Sequence, residues 1–494
     1  MKIRYLYILF FVGMTASSFA QTDLDALRYS RLQTIGSGRT MAVGGAFGAL
    51  GGDFTVLSTN PAGIATYRHS EISLSGSLAL NQTVSDFAGE SNSLLEPYPN
   101  LSNVGIILSS VNSTRGSKWK TTNFALGTNR LANFNQRFNF SGTTEGTITD
   151  RYLELADGIE ADNLGLESRM AYDAYLIDNV SGSTTEYFAD ADSNSMVFKN
   201  QNFESNGYLN EFVIAYGANY MHRLYIGATL GIPFLKYSEQ RIYNEEDQDN
   251  SIDYFNSMSY TEHLLTDGLG VNLKIGAILR VSQSIRLGAA IHTPTAMSLT
   301  DRYSSSMTSS ITFNSVDGPE GFAEESGASV YEYSLNTPWR LVASGAYIFG
   351  KKGFISGEVE YLDYGYANFN FNTEDQNDLD YLNELNSSVT NKYGQAINLK
   401  VGAEMVFDKF RLRGGYALYG SPFNDGVAFY DSVIGNISVG AGYHSKGFFA
   451  DLAFVQSSRT EEYVPYSLQN GTAPSAINDM TFAQLVLTLG FKFY

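Results

Sequence analysis

Arg411 and Arg413 are separated by one residue and interleaved with Phe410 and Leu412. On a strand this spacing turns both guanidiniums to one face and both apolar side chains to the other. Two guanidiniums on one face can hold a carboxylate. They can equally neutralise Glu404 of the preceding run, or bind an N-terminal segment across an interior. The five histidines, at 69, 222, 263, 292 and 444, are scattered and lack metal-ligand or haem spacing. His292 shares a face with Arg286 and is the histidine best placed to meet a ligand; its other reading is a hydrogen bond to the wall. There is no Cys, which excludes disulfides, thiolate metal sites, a cysteine nucleophile and a lipid-anchored N-terminus. No G-x-S-x-G elbow or Ser/His/acid motif stands out. Glycines at 36, 38, 44, 45, 48, 51 and 52 suggest a phosphate loop, but no strand precedes Gly36, the spacing is not G-x-G-x-x-G, and no G-K-[ST] follows. These residues predict no catalytic site, no metal and no cofactor. The chemistry that remains is non-covalent binding.

The elements that must position these groups are short alternating runs. Fourteen are predicted, at 69–81, 101–113, 118–144, 208–221, 223–245, 256–281, 283–314, 327–349, 353–372, 393–407, 409–421, 433–445, 447–465 and 479–494. Leu399, Val401, Ala403, Met405 and Phe407 share a face opposite Lys400, Gly402 and Glu404. Ile285, Leu287, Ala289 and Ile291 oppose Arg286, Gly288 and His292. Ile355, Val359 and Tyr361 oppose Glu358 and Glu360. A soluble sandwich alternates too, so the gaps decide. Those after even-numbered runs are very short, as at 281–284, 350–353 and 445–447, and those after odd-numbered runs are generally longer. Tight turns at one end and long loops at the other, with an even strand count, are the pattern of an outer-membrane barrel. The composition agrees: 33 Tyr, 32 Phe and 47 Gly against 10 Pro suit strands and turns. The predicted fold is all-β, a 14-stranded antiparallel transmembrane β-barrel over 68–494.

Lys2 and Arg4 precede an apolar run at 6–12 and a small-residue site ending at Ala20, the layout of a cleaved signal peptide over 1–20. No later stretch reaches the ~18 apolar residues of a transmembrane helix. The last run, from Leu485 to Phe493, alternates apolar and polar and ends in aromatics, as a barrel-assembly signal does. The net charge of −19 repels nucleic acid. Two regions do not read as strand. In the long loop 145–207, Ile148, Tyr152, Leu155 and Ala156 recur at helical spacing, as do Leu166, Met170, Ala174 and Ile177. Those helices would dock on the outer rim or gather ligand. The second region, 21–67, is Gly-rich and too polar to face lipid, and it can sit inside the barrel, where its irregular backbone finds partners. Within it 39–49 is predicted as a short helix ended by Gly51 and Gly52, and Asn60-Pro61-Ala62-Gly63 as a tight turn leading into the first strand.

The run Gly38-Arg39-Thr40-Met41-Ala42-Val43-Gly44-Gly45-Ala46-Phe47, followed by Asn60-Pro61-Ala62-Gly63, resembles the FadL/TodX family of outer-membrane transporters of long-chain fatty acids and aromatic hydrocarbons. Leu287-Gly288-Ala289 through His292-Thr293-Pro294, and Arg413-Gly414-Gly415-Tyr416 through Gly420-Ser421-Pro422, are similar as well. The resemblance implies a fourteen-stranded barrel whose N-terminal hatch includes Gly36, Gly38, Arg39, Met41, Gly44, Gly45, Phe47, Asn60 and Pro61. It implies passive uptake of a hydrophobic small molecule, with lateral exit into the outer membrane; Arg411, Arg413 and His292 are the candidate ligand contacts. Outer-membrane lipid and the barrel-assembly machinery are the expected partners. Some members are described as hemin receptors, so a hemin or other ligand receptor is one alternative. A structural or adhesion barrel is another. The long 145–207 insertion departs from the family pattern.

Overall fold

The computed structural model describes residues 21–313, 318–427, 433–469, 471 and 473–493. The expected signal peptide, 1–20, lies outside them, as does Tyr494. Among the described residues fourteen strands pair into a closed antiparallel barrel. They are β1 (Ser70–Phe87), β2 (Glu90–Val111), β3 (Trp119–Asn133, continued by Gln136–Glu145), β4 (Met196–Tyr220), β5 (Leu224–Glu246), β6 (Phe255–Arg280) and β7 (Ile285–His292, continued by Ala296–Ile311). Then come β8 (Ser329–Asn336, continued by Arg340–Ile348), β9 (Gly353–Asp363, continued by Asn368–Asn370), β10 (Gln395–Phe407), β11 (Phe410–Tyr419), β12 (Ile434–His444), β13 (Phe448–Tyr463) and β14 (Ala476–Phe493). β1 closes the ring on β14, from Ser70↔Phe493 to Asp86↔Ile477.

The barrel is inside-out relative to a soluble protein. Leu399, Val401, Met405, Leu412 and Phe491 face outward, 45–59 % exposed, while Lys400, Glu404 and Arg413 are buried inside. Side chains of a strand alternate between its two faces, so the period that turns leucines outward necessarily fills the lumen with charge. Such an apolar belt is stable only against lipid.

The turn end matches expectation, with connections at 112–118, 221–223, 281–284, 349–352, 408–409 and 445–447. The loop end departs from it in three places. β1 and β2 are not joined by a long loop: they pair as far as Phe87↔Glu90 around a two-residue turn, with Ala88 and Gly89 at positive φ. In residues 82–100 polar side chains stand on both faces, Thr83 and Ser85 buried inside and Gln82 and Asp86 exposed, which is why alternation missed them. The helical insertion ends at 195, since Met196 already belongs to β4. It contains α3 (Thr149–Ala156) and α4 (Leu166–Asp173), and its apolar face docks on the rim through Tyr152, Met170 and Ala174 against Tyr243, Phe255 and Met307. Arg151 clasps Glu167 with two bonds, at 2.7 and 2.9 Å, and ties the helices together. Finally, 373–392, expected as loop, contains a 17-residue helix, α5 (Gln376–Lys392), capped by Asp375.

Two features interrupt the wall. Pro294 and Pro338 split β7 and β8 side by side, since proline offers no N–H to the ladder. Thr295 and Thr337 stitch the break, Thr295 N donating to Thr337 Oγ1 at 2.9 Å and Thr337 N to Thr295 O at 3.1 Å. The larger interruption lies between β2 and β3. These strands pair only from Asn103↔Asn129 to Val111↔Thr121. Toward the loop end β2 pairs with β1 alone, and β3 with β4 alone. Side chains bridge the seam: Arg130 Nη1 donates to Asn100 Oδ1 at 2.5 Å, and Arg137 Nη1 to Glu96 Oε1 at 3.0 Å.

Candidate functional site

The N-terminal segment lies on the inward-facing side chains of the barrel. α1 (Asp23–Ser30) meets α5 near the loop end, where Lys392 and Asp23 form an ion pair at 2.5 Å. Burial beside acidic groups pushes the Tyr381 hydroxyl up to about 12, so it remains a donor to the Gln21 carbonyl. The chain then descends to α2 (Gly38–Met41) and two short 3₁₀ helices, Phe54–Ser58 and Pro61–Thr66, before entering β1. The helix expected over 39–49 stops at Met41. Gly44 and Gly45 adopt φ of +65° and +79°, left-handed backbone that ends a helix. Gly44 also abuts the wall, where an added Cβ would lie 2.9 Å from the Tyr416 backbone. Asn60-Pro61 starts the second 3₁₀ helix rather than a simple turn, with Asn60 capping Ala62 N at 3.1 Å.

Close approach explains the wall glycines. An added Cβ at Gly227 would lie 2.3 Å from Pro61 O, at Gly276 2.0 Å from Asn60 Oδ1, and at Gly402 2.3 Å from Val43 O. Gly217↔Gly227, Gly227↔Gly276 and Gly402↔Gly415 are cross-strand neighbours, so backbone rests on backbone in seats without side chains. In the segment itself Gly36 crowds Thr55, and Gly38 N donates to Thr488 Oγ1 at 2.7 Å. Met41 packs on Ala453 and Val486, and Phe47 meets Phe354 edge-on at 6.1 Å between centroids.

Three ionic stations pin the segment to the wall. In the first, Arg413 donates from Nε to Glu404 at 2.7 Å and from Nη1 to Asp451 at 2.6 Å. Arg39 approaches Glu404 to 3.6 Å, and His444 Nε2 lies 2.9 Å from Asp451 Oδ1. In the second, Lys400 pairs with Glu358 at 3.0 Å and Arg340 with Glu360 at 2.8 Å, while Gly48 N donates to Glu358 Oε2 at 2.9 Å. In the third, Glu211 pairs with Lys274 and accepts Ser58 Oγ at 2.8 Å.

Of the residues the sequence singled out, Arg413 is buried and spends Nε on Glu404 and Nη1 on Asp451, while its buried Nη2 has no partner. Arg411 lies nearer the turn end and donates to Lys409 O at 3.1 Å. His292 Nε2 donates to Thr59 O at 2.6 Å. Glu211, Lys274 and Asp451 were not singled out, although alternation in their strands places all three inside. A cavity of about 70 Å³ remains between residues 29–35 and 55–59 and the wall, reaching Arg130 at the seam and Pro338 at the strand break. It has room for a handful of waters, at ~10–15 Å³ each, and falls far short of a drug-sized ligand site of ~300 Å³ or more.

By sequence, neither a family model nor a curated protein matches the chain. By structure it is similar to the Pseudomonas putida toluene transporter TodX, with 13 % identity, a TM-score of 0.52, and coverage of 94 % of this chain and 99 % of that one. It is similar to a Pseudomonas aeruginosa FadL homologue, with 11 % identity, a TM-score of 0.54 and coverage of 94 % and 99 %. The Ralstonia pickettii toluene transporter TbuX gives 12 % identity, a TM-score of 0.50 and coverage of 93 % and 99 %. What is shared is the fold, over nearly the whole of each chain.

Proposed function

We propose that this barrel resides in the outer membrane and passively takes up hydrophobic small molecules, with residues 21–67 as its hatch and the β2–β3 seam as its lateral exit. The loop end faces outward and the turn end the periplasm. The seam is the observation that carries the reading. Elsewhere neighbouring strands are held by backbone ladders, whereas here the loop-side half is closed by side chains that can rotate away. It opens at Leu101, whose neighbour Gly76 lies within the apolar belt between Leu74 and Leu78. A ligand leaving there enters hydrocarbon directly. The small cavity fits a resting state in which the hatch must shift before cargo passes. The structural neighbours are named as toluene transporters and a FadL homologue, which favours an aromatic or long-chain aliphatic cargo. Arg411 and His292 remain candidate contacts once the hatch has moved.

The test is removal of the hatch. Deleting 21–62 should leave a barrel that still shows heat-modifiable migration and conducts ions in planar bilayers. A deletion variant as silent as the intact protein would sink the hatch reading. Uptake of radiolabelled toluene or oleate by cells carrying the intact protein, against cells lacking it, tests the cargo class.

A further inference from the structure

We propose that the lumen holds a phosphate-type oxyanion beneath the N-terminal segment, on a row of arginines at the turn end formed by Arg223, Arg280 and Arg286. The row arises from register. Leu279, Ile285 and Leu287 face lipid, 40–51 % exposed, while Ile278 is fully buried inside. Arg280 and Arg286 therefore share the lumen face, and they are direct cross-strand partners on β6 and β7. Such partners hold their Cβ atoms about 5 Å apart. Arg223, just before β5, extends the row to a third strand, since Arg280 N donates to Arg223 O at 2.7 Å.

Like charges set directly opposite one another in a sheet are destabilising, and the protein does not offset these. Among the described residues no carboxylate pairs with any of the three. Arg280 Nε donates to Ser282 O at 3.3 Å and Arg286 Nη1 to Leu50 O at 2.7 Å, both backbone carbonyls. The Nη groups of Arg280 and Nη2 of Arg286 are left for a ligand. The flanking turns, 221–223 and 281–284, contain no acid. The positive field reaches His222 on the first of them: burial, and then Arg68, Lys120 and Arg280, push its imidazole below the usual range, so it adds no charge of its own. A tetrahedral dianion suits this arrangement better than a carboxylate. Two planar forks about 5 Å apart can each take oxygens from it, and its second charge answers a second cation. Arg286 also holds the segment through Leu50, so an anion seated here ties that segment to β6 as well as to β7. Inorganic phosphate and a phospholipid headgroup share this chemistry; the lumen position favours the soluble ion. The site needs the barrel and the seated segment, and it does not depend on a cargo or an exit route.

The test uses the full-length protein in a neutral detergent at physiological salt, dialysed to equilibrium against radiolabelled inorganic phosphate. The intact protein should show one saturable site, from which sulfate displaces the label. R280Q should weaken binding about tenfold, the weight of a charged hydrogen bond, and R280Q/R286Q by about tenfold again. K351Q/K352Q, on another turn, should bind as the intact protein does. Phosphate should also raise the temperature of the heat-modifiable shift in the intact protein and not in R280Q, because a ligand of the folded state stabilises it. R280Q leaves the contact of Arg286 with Leu50 in place, and heat-modifiable migration shows that each variant is folded. No saturable binding by the intact protein, undiminished binding by folded R280Q/R286Q, an equal loss in K351Q/K352Q, or retention of phosphatidylglycerol but not of phosphate would overturn the proposal. None of these readouts involves hydrophobe uptake, so failure of the anion site leaves the uptake reading standing, and failure of uptake leaves the anion site.

Discussion

Gly227→Ala separates the stability of the wall from the seating of the segment inside it. In a strand, alanine is favoured over glycine by roughly 0.5–1 kcal/mol because it has less chain entropy to lose. On the wall alone the change should therefore stabilise. The new methyl, however, would lie 2.3 Å from Pro61 O, 2.5 Å from Pro61 C and 2.8 Å from Ala62 N. All three are backbone atoms, so no side-chain rotation relieves the contact and the segment has to lift. Overpacking of this kind costs about 1–3 kcal/mol. A penalty near 2 kcal/mol on the seated state alone raises the displaced population about thirty-fold. Gly414→Ala is the control, because its methyl would meet nothing nearer than Ser438 O at 3.9 Å. In planar bilayers G227A should show frequent openings of the amplitude seen with the 21–62 deletion, while G414A stays closed. Both variants should keep or raise the temperature of the heat-modifiable shift. If G227A were as silent as G414A with its barrel intact, the glycine seats would not be what holds the hatch.

Arg413→Met removes the shared partner of buried Glu404 and Asp451, leaving them only Arg39 and His444; losing one partner of a buried pair costs about 3–5 kcal/mol, so the heat-modifiable transition should fall, and restoration by a second change, Asp451→Asn, would be read in the same gel. The chain has no Cys, so N100C/R130C introduces a unique thiol pair across the seam; joining it with a short bifunctional reagent should block hydrophobe uptake without altering the conductance of the 21–62 deletion. Tyr152→Ala empties a fully buried site in the cap at about 3–5 kcal/mol, and limited proteolysis of outer-membrane vesicles should then cleave within 146–195 while leaving the barrel protected.

Wherever lipid imposes it, the fold was legible from strand periodicity. Met405 and Glu404 point oppositely because hydrocarbon tolerates only one of them, and the turn at 445–447 is short because both flanking strands must return at once. Legibility ends where lipid does. At 82–100 polar residues stand on both faces, buried Thr83 and Ser85 as well as exposed Gln82 and Asp86, so the alternation that signals a strand disappears although the ladder continues. α5 escaped notice for a related reason: Leu385 and Val389 alone are buried, and a helix held by one thin stripe in a polar run resembles loop. The candidate site was half visible. Inward arginines follow from alternation, but that Arg413 would be spent on Glu404 and Asp451 depends on which strands become neighbours across the ring. The wall glycines were visible as letters, and their purpose needed the segment that rests on them.

On the proposed uptake function, the ionic interior also constrains how a greasy cargo would leave. Lys400, Glu358, Glu360, Arg340, Lys274 and Glu211 line the descent and are all buried. A hydrocarbon passing straight through would have to displace the hatch completely and then cross these charges, exposing its chain to water along the route. Once the hatch has shifted, leaving at the seam requires that Arg130 release Asn100, Arg137 release Glu96 and Asn92 release Ser141. These are contacts at the loop-side edge, and an exposed pair such as Arg137 with Glu96 contributes about 0–1 kcal/mol. Burying a ten-carbon chain in hydrocarbon returns roughly 8 kcal/mol at about 0.8 kcal/mol per CH₂. The sideways path is downhill by that comparison and the axial path is not. The difference predicts that loosening the seam, as in Arg130→Ala, speeds uptake while leaving ion conductance near zero, since ions gain nothing from entering lipid. Conductance rising together with uptake in that variant would mean that seam and hatch open as one, and the sideways route would lose its physical basis.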